Sequence, residues 1–526
     1  MDKQTIKNFI LEINRADLAK FDSLDLLKRK YMTATGENFV QNAEVKKVYD
    51  EMVASDEMKP NFDLEKMFLT KHVRTRSGVA VVAVLTKPFA CPGKCLYCPS
   101  ESDMPKSYLP NEPAVMRAIL TGFHPYRQVQ ARIRSLQLNG HPTDKIELIV
   151  MGGTFSYFPL RYQNWFIREC FRAANDFPEK IGARTAATDL ETEKTRNEKA
   201  ENRIVGLTLE TRPDYINEEE VVKFRRLGAT RVELGVQSTH DGVLEHNRRG
   251  HSVEQTVRAT RLLKDAGFKI NYHLMPGLPG STEAQDLDVF RAVYTDARFQ
   301  PDMVKIYPCV VVKNSDLYNL WQRGEYQPLT NERCLELLGE IKGMTPEYVR
   351  ITRLIRDIPA ESIEAGPNIS NMRQLLQNAG VKCQCIRCRE VKDDYSSDDK
   401  VVLDRVEYDA SGGREFFLQY VTPDKAKLFA LLRLRLPGSE KHFIGALQGS
   451  ALIREVHTYG RLVGIAQEND RAAQHKGLGR KLMAEAEKTA RQKGYKKMAV
   501  IAGVGVREYY RELGYELEDE YMVKNI

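Results

Sequence analysis

Residues 79–98, VAVVAVLTKPFACPGKCLYC, begin with an apolar run of strand length and end on three cysteines spaced Cys91-x3-Cys95-x2-Cys98. A strand running straight into a cysteine-bearing loop puts reactive side chains at its C-terminal end. Five further apolar runs follow: IELIVM (146–151), IVGLTLE (204–210), RVELGVQ (231–237), FKINYHLM (268–275) and MVKIYPCVVV (303–312). Between them lie segments of helical period, such as NEEEVVKFRRLG, which ends on a helix-stop glycine. Strand alternating with helix predicts parallel βαβ units, hence an α/β sheet that is either open or closed into a barrel. Sites in such sheets lie at the C-terminal strand ends, where the cysteines fall.

Nine cysteines are present, and six form two tight groups: Cys91, Cys95 and Cys98, then Cys383, Cys385 and Cys388. The N-terminus lacks the apolar core of a signal peptide, and no apolar run is long enough to cross a bilayer, which predicts a cytoplasmic protein. In that compartment close cysteine spacing argues for metal rather than disulfides. Three thiolates can hold three irons of a [4Fe–4S] cube and leave the fourth open to chelate S-adenosylmethionine (SAM). A zinc knuckle borrowing a fourth ligand is the alternative. The second group reads as three ligands of a closed structural zinc, completed by Cys309 with Cys334 competing, or as three reduced cysteines in a loop.

At 526 residues the chain is too long for one core. Residues 1–75 look helical, 76–312 carry the strand–helix repeat, 313–390 connect, and 391–526 form a second domain after the acidic linker VKDDYSSDDK. The polar stretch 183–202 reads as a surface insertion. In QHKGLGRKLM, Gln474, Gly477 and Gly479 leave amides bare at a helix start, a site suited to pyrophosphate. Net charge is +7, from 79 basic and 72 acidic side chains, which permits an anionic partner without demanding one. Bases gather at Lys71–Arg76, at Arg117–Arg134 and at Arg350, Arg353 and Arg356. The last three recur every third residue, which predicts one side of a helix or tight turn.

The cysteine spacing, with Tyr97 before the last thiol, resembles the radical SAM superfamily. MGGT (151–154), LTLETRPD (207–214), ELGVQS (233–238) and HLMPGLPG (273–280) extend that resemblance. It implies a partial (β/α) barrel with a [4Fe–4S] cluster on Cys91, Cys95 and Cys98. It further implies SAM held by Gly152, Gly153, Thr154, Glu210, Gln237 and His273. KKMAVIAG and GVREYYRELGYE after the glycine-rich helix start resemble the GNAT acetyltransferases, which implies a C-terminal α/β domain that binds acetyl-CoA. Together with SYLPNEPAVMRA and VKIYPCVVV, the whole set resembles the family of the Elongator catalytic subunit in its stand-alone prokaryotic form.

By that resemblance Gln474, Gly477, Leu478, Gly479 and Arg480 would hold the pyrophosphate, and Glu455, Val456, His457 and Thr458 would line the pantetheine. Tyr510 would sit near the thioester, and Lys145 would also touch acetyl-CoA. The implied reaction is carboxymethylation of C5 of the wobble uridine, position 34, in the tRNA anticodon. It would use an unidentified electron donor and none of the other Elongator subunits. The competing reading is a protein-lysine acetyltransferase with a structural iron–sulfur domain, in which Glu455 or Tyr510 serves as base and acid. A non-enzymatic tRNA-binding subunit is a third.

Overall fold

The computed structural model describes residues 2–15, 18, 23–35, 40–68, 78–178, 188–391, 399–459 and 477–526. Seven strands form one all-parallel sheet in sequence order: β1 (Ala80–Leu85), β2 (Lys145–Met151), β3 (Arg203–Thr211), β4 (Arg231–Gln237), β5 (Lys269–Leu274), β6 (Met303–Ile306) and β7 (Arg350–Arg353). β1 and β7 are the two edges, so this is a partial barrel. Its outward side chains, among them Val82, Leu148, Val232 and Ile270, are fully buried against the crossover helices. The inward row is polar, and it reads off the strands at period two: Glu147, Arg231, Glu233, Lys269, Asn271, His273 and Lys305.

A second seven-stranded sheet runs β8 (Val402–Ala410), β9 (Gly413–Val421), β10 (Leu428–Leu436), β11 (Ser450–Thr458), β12 (Lys497–Val500), β13 (Glu516–Glu518) and β14 (Tyr521–Asn525), in the spatial order 13-14-12-11-10-9-8. Only β11 and β12 pair in parallel, and their register ends at Ile453↔Val500 while β11 continues to Thr458. Past that point the two strands part. Between β10 and β11, Arg433 faces Glu455 but Leu434 faces Ile453, so Arg454 is an extra, bulged residue. Four N-terminal helices within Lys3–Phe68 pack around their own small core of Phe9, Ile10, Val45, Tyr49 and Leu64.

The second sheet docks on the N-terminal edge of the barrel, opposite the cysteine loop. The bulge aims Arg454 at Asp302, 2.6 Å away just before β6, and at Glu415 on β9, 3.0 Å away. Arg435 pairs with Glu415 at 3.0 Å and with Asp265 at 2.6 Å, and Arg433 reaches Asp302 at 3.5 Å. Nearly all of these side chains are buried from solvent. Gly503 and Gly505 allow a close approach: a Cβ on Gly503 would lie 2.1 Å from the Val205 carbonyl oxygen, and one on Gly505 would lie 2.6 Å from the Arg203 Cβ. One continuous apolar core runs through both sheets.

Two sequence expectations change here. VRITRLIRDIP is a short strand and loop rather than a helix or tight turn. Arg350 pairs with Glu390 at 2.7 Å, Arg353 with Asp357, and Arg356 with Glu112 at 3.0 Å. Arg350 and Arg356 brace the fold, and Arg353 stays exposed in a local pair, so the three do not form one basic face. Residues 190–197 form a helix tied to the second sheet: Lys194 is buried against Glu520 at 2.7 Å, and Glu198 meets Arg511 at 2.7 Å. This part of the stretch is therefore not a surface insertion. Residues 183–187, most of the linker, Lys71–Arg76 and Gln474 lie outside the described residues.

Arg454→Met would leave Asp302 and Glu415 short of their main cation. It is expected to cost about 3–5 kcal/mol, read as a lower denaturation midpoint. Lys264 lies 3.6–3.8 Å from the same carboxylates without a hydrogen bond, and burial draws its ammonium down to about 8. Lys264→Met should therefore cost markedly less. Equal midpoints for Arg454→Met and the wild type would contradict this account of the interface.

Candidate active site

The Thr86 amide bonds the Met151 carbonyl at 3.0 Å, and the chain then turns across the C-terminal mouth of the barrel. Cys95 is buried, whereas Cys91 and Cys98 are partly open. A Cβ on Gly93 would lie 3.4 Å from the Cys95 Sγ, 3.7 Å from the Cys91 Sγ and 2.6 Å from Arg212 Nη1, so the bare glycine leaves room for these groups. The Cys91, Cys95 and Cys98 sulfurs do not all lie within 4.8 Å of one another. Arg249 Nη1 donates to the Cys95 Sγ at 3.3 Å. A hydrogen bond from Cys98, aided by the Arg249 charge against the cost of burial, draws the Cys95 thiol down to about 5. Arg212 Nη1 and Arg249 Nε are buried without hydrogen-bond partners. A soft-donor set flanked by two arginines suits an anionic iron–sulfur cube.

The glycine pair beside this loop is sterically enforced. Gly152 (φ +132°) and Gly153 (φ +90°) adopt conformations that other residues avoid, and a Cβ on Gly152 would fall 1.9 Å from Thr86 Oγ1. Thr154 is buried just beyond them. Thr86 Oγ1 and Gln237 Oε1 are buried without partners, and Gln237 itself sits at φ +71°. Glu210 accepts from the Tyr108 hydroxyl at 3.2 Å. These open polar groups fit a compact zwitterionic ligand such as SAM. His273 Nε2 meets Glu233 Oε2 at 2.9 Å, and its Nδ1 lies 3.7 Å from Glu210.

Glu233 is the hub of the barrel interior. It binds Lys305 as well as His273, and it accepts from Asn271 Nδ2 at 3.1 Å. Despite burial, the Lys305 and His273 charges hold its carboxyl well below the usual range. One layer lower Glu147 pairs with Arg231, and at the N-terminal mouth Lys269 reaches Glu455 at 3.0 Å. Lys145, half-buried at the start of β2, lies on the same inward row as Glu147. The interior of the barrel is thus lined by paired charges.

In the C-terminal domain Gly477 (φ +101°) precedes the helix Leu478–Gln492, whose first amides receive no side-chain cap among the described residues. Gly479 closes on a small cluster, because a Cβ there would lie 3.4 Å from the Tyr509 hydroxyl and 3.6 Å from Thr458 Cγ2. Tyr510 turns inward against Tyr515, with ring centroids 6.1 Å apart, and is nearly buried. Tyr509 is therefore the neighbour of the glycine-rich turn, and sequence reasoning missed it. The two adjacent tyrosines on a helix point in different directions, a signal that was available. Glu455 is clamped by Arg433 at 2.8 Å and by Lys269, which hold it ionised. Val456, His457 and Thr458 lie on the part of β11 beyond the splay. Arg480 is exposed, 3.4 Å from Glu512.

The Cys383, Cys385 and Cys388 sulfurs all lie within 4.8 Å of one another. Hydrogen bonds from Cys383 and Cys388 pull the Cys385 thiol well down. Neither expected fourth ligand joins them. Cys309 is buried with Cys95, Tyr97 and Leu317, and burial pushes its thiol up to about 12. Cys334 faces the Met372 sulfur at 3.8 Å. Strand-end position favoured Cys309 in the sequence, but the chain after β6 carries it to the cysteine-loop side of the barrel.

Comparisons with known proteins agree with this division. The Radical SAM superfamily model matches residues 87–293, the Radical_SAM C-terminal domain 301–379, and the Acetyltransferase (GNAT) family 417–515. The tRNA uridine(34) acetyltransferase of Methanocaldococcus jannaschii is 46% identical over 473 residues, 86% of each chain. Its counterpart in Dehalococcoides mccartyi is 45% identical over 87% of this chain and 100% of its own. Elongator complex protein 3 of Homo sapiens is 38% identical over 86% and 85% of the two chains. The solved structure of archaeal Methanocaldococcus infernus Elp3 lacking its N-terminus superposes with a TM-score of 0.74 at 41% identity, covering 86% of this chain and all of that one.

Cys91→Ala, Cys95→Ala and Cys98→Ala are each expected to lose the visible absorbance of an anaerobically reconstituted cluster and to drop from about four irons per chain toward none. Cys334→Ala should keep both. Wild-type iron content in any of the first three variants would contradict the assignment.

Proposed function

The chain belongs to the family that contains Elongator complex protein 3 and the tRNA uridine(34) acetyltransferases, and on that premise we propose that it carboxymethylates C5 of the wobble uridine in the tRNA anticodon. It is a radical SAM, acetyl-CoA-dependent enzyme. Cys91, Cys95 and Cys98 would hold the cluster, and the Gly152–Thr154 turn, Glu210 and Gln237 would hold SAM. When bound, these cofactors supply a carbon radical able to take hydrogen from an unactivated methyl group. The overall conversion joins the acetyl methyl carbon to C5 of uridine: the methyl hydrogen would end in 5′-deoxyadenosine, the C5 hydrogen would leave as a proton with its electron returned to the cluster, and thioester hydrolysis leaves the carboxymethyl group. C5 carries no acidic proton and the acetyl methyl carbon is not an electrophile, which makes their union a hard target for ordinary acid–base chemistry.

One observation carries this reading: the splayed end of β11 and the cysteine loop lie toward opposite ends of one barrel whose inward row is charged. Lys145, Lys269 and Lys305 belong to that inward row and would meet the anionic or carbonyl groups of an acyl chain. Thr458 and the Gly477–Arg480 turn would hold the pantetheine and pyrophosphate ends. The acetyltransferase-only reading loses its base, because Glu455 is committed to Arg433 and Lys269. Cys383, Cys385 and Cys388 would hold a structural zinc. No helix among the described residues is long and apolar enough to cross a membrane.

The test is 5′-deoxyadenosine release by reconstituted protein, with acetyl-CoA and tRNA each present or omitted, alongside nucleoside analysis of the tRNA. Acetyl-CoA-dependent release together with a carboxymethyluridine product is expected, and Gly479→Trp should lose the product while keeping tRNA affinity. Acetylated lysine without 5′-deoxyadenosine would overturn the proposal.

A further inference from the structure

Large apolar side chains of this chain are mostly buried, yet two aromatic rings stand open beside the cysteine loop. Phe89, two residues before Cys91, is 38% exposed, and Tyr157, just past the glycine pair, is 41% exposed. Their centroids are 6.0 Å apart with planes inclined at 58°. Neither ring is loose. Phe89 stacks on Phe158 at 4.6 Å and 24°, and Phe158 stacks on Tyr162 at 4.7 Å and 22°. The Lys87 ammonium sits 5.0 Å over the Tyr162 ring and closes the far end of this column. Tyr157 is braced edge-on by Tyr215 at 6.1 Å and 85°. The result is a pre-set aromatic rim supported from behind and open in front.

The charges around the rim select its occupant. Lys87 and Lys94 on the cysteine loop and Arg161 beside Tyr162 are exposed, and none pairs with a carboxylate among the described residues. The carboxylate nearest in sequence to Tyr215, Asp214, is taken by Arg212 at 2.9 Å. Rigid rings flanked by exposed cations match unpaired nucleotides, whose bases stack on aromatic faces while their phosphates meet the cations. A protein partner's apolar surface would gain nothing from those cations.

We infer that Phe89 and Tyr157 form a stacking platform for unpaired anticodon-loop bases flanking the target uridine. Stacking there would stabilise the unstacked loop that lets the target base enter the barrel mouth. This inference rests on the tRNA reading above and deepens it, since it supplies the site's contact with the neighbours of the modified base.

The probe is an anticodon stem-loop RNA with 2-aminopurine in place of the base 3′ to the target uridine, titrated into the reconstituted full chain. Binding to the wild type should change the 2-aminopurine fluorescence as the base restacks on protein. Phe89→Leu and Tyr157→Leu keep apolar bulk but remove the ring. Each is expected to weaken stem-loop binding about tenfold and to abolish the fluorescence change. Iron content and acetyl-CoA binding should stay at wild-type values, which reports that the loop is intact. Phe89→Tyr should restore binding. Leucine variants that bind like the wild type with the same fluorescence change would overturn the platform alone. Failure of the wild type to bind the stem-loop at all would overturn both the tRNA reading and the platform.

Discussion

Two carboxylates that cannot reach water, Asp302 and Glu415, hold this molecule together. One belongs to the barrel and the other to the C-terminal sheet, and Arg454 spans both at 2.6 and 3.0 Å. A buried charge is tolerable only when it is paired and hydrogen-bonded. Arg433, Arg435 and Lys264 complete the pairing, so separating the domains would strand several ions at once. The bulge that frees Arg454 from the β10–β11 ladder is therefore a docking device. Gly503 and Gly505 let backbone meet backbone around it, and Gly267 packs against the Leu452 and Ile501 side chains, which leaves little room for rotation or sliding.

That fixed junction determines where the two chemistries lie. The C-terminal sheet covers the N-terminal edge of the barrel, while every ligand-shaped feature of the barrel lies at its C-terminal edge. Between them runs the inward row of β2, β4, β5 and β6, and it is charged rather than aliphatic. Filling a barrel with Glu147, Arg231, Glu233, Lys269 and Lys305 sacrifices packing that Val or Ile would provide. The pairing of these residues offsets that loss, and their alignment gives a polar path from Glu455 to Glu210. A scaffold would not need such a path, whereas an enzyme that works on one acyl group from both ends would.

The sequence carried the local features well. Six of the seven barrel strands followed from apolar runs, because parallel strands buried on their outer face show little else. The cysteine loop, the Gly152–Gly153 turn and the Gly477–Gly479 turn were legible because each depends on residue types that few others can replace. Features that depend on distant partners were harder to see. Residues 190–197 looked like a solvated insertion because the carboxylate that neutralises Lys194, Glu520, lies more than three hundred residues away. Arg350, Arg353 and Arg356 looked like one basic face, since β7 has only four residues and its carboxylate partners come from three separate segments. Cys309 was paired with the wrong cysteines because strand-end position does not reveal which way the following chain turns. The charged inward row could have been read from RVELGVQ, KINYHL and MVKI, where Arg231, Glu233, Lys269, Asn271, His273 and Lys305 recur at period two among apolar residues.

The central claim is that one acetyl group is handled by both domains. Acetyl-CoA carrying a CD3 methyl group, incubated anaerobically with the reconstituted chain, SAM, a one-electron reductant and tRNA, tests it most directly by mass spectrometry. Deuterium is expected in the released 5′-deoxyadenosine, with the two remaining deuterium atoms retained in the carboxymethyl group on the tRNA uridine. Deuterium-free 5′-deoxyadenosine, with an intact CD3-acetyl group on tRNA or on protein lysine, would contradict it.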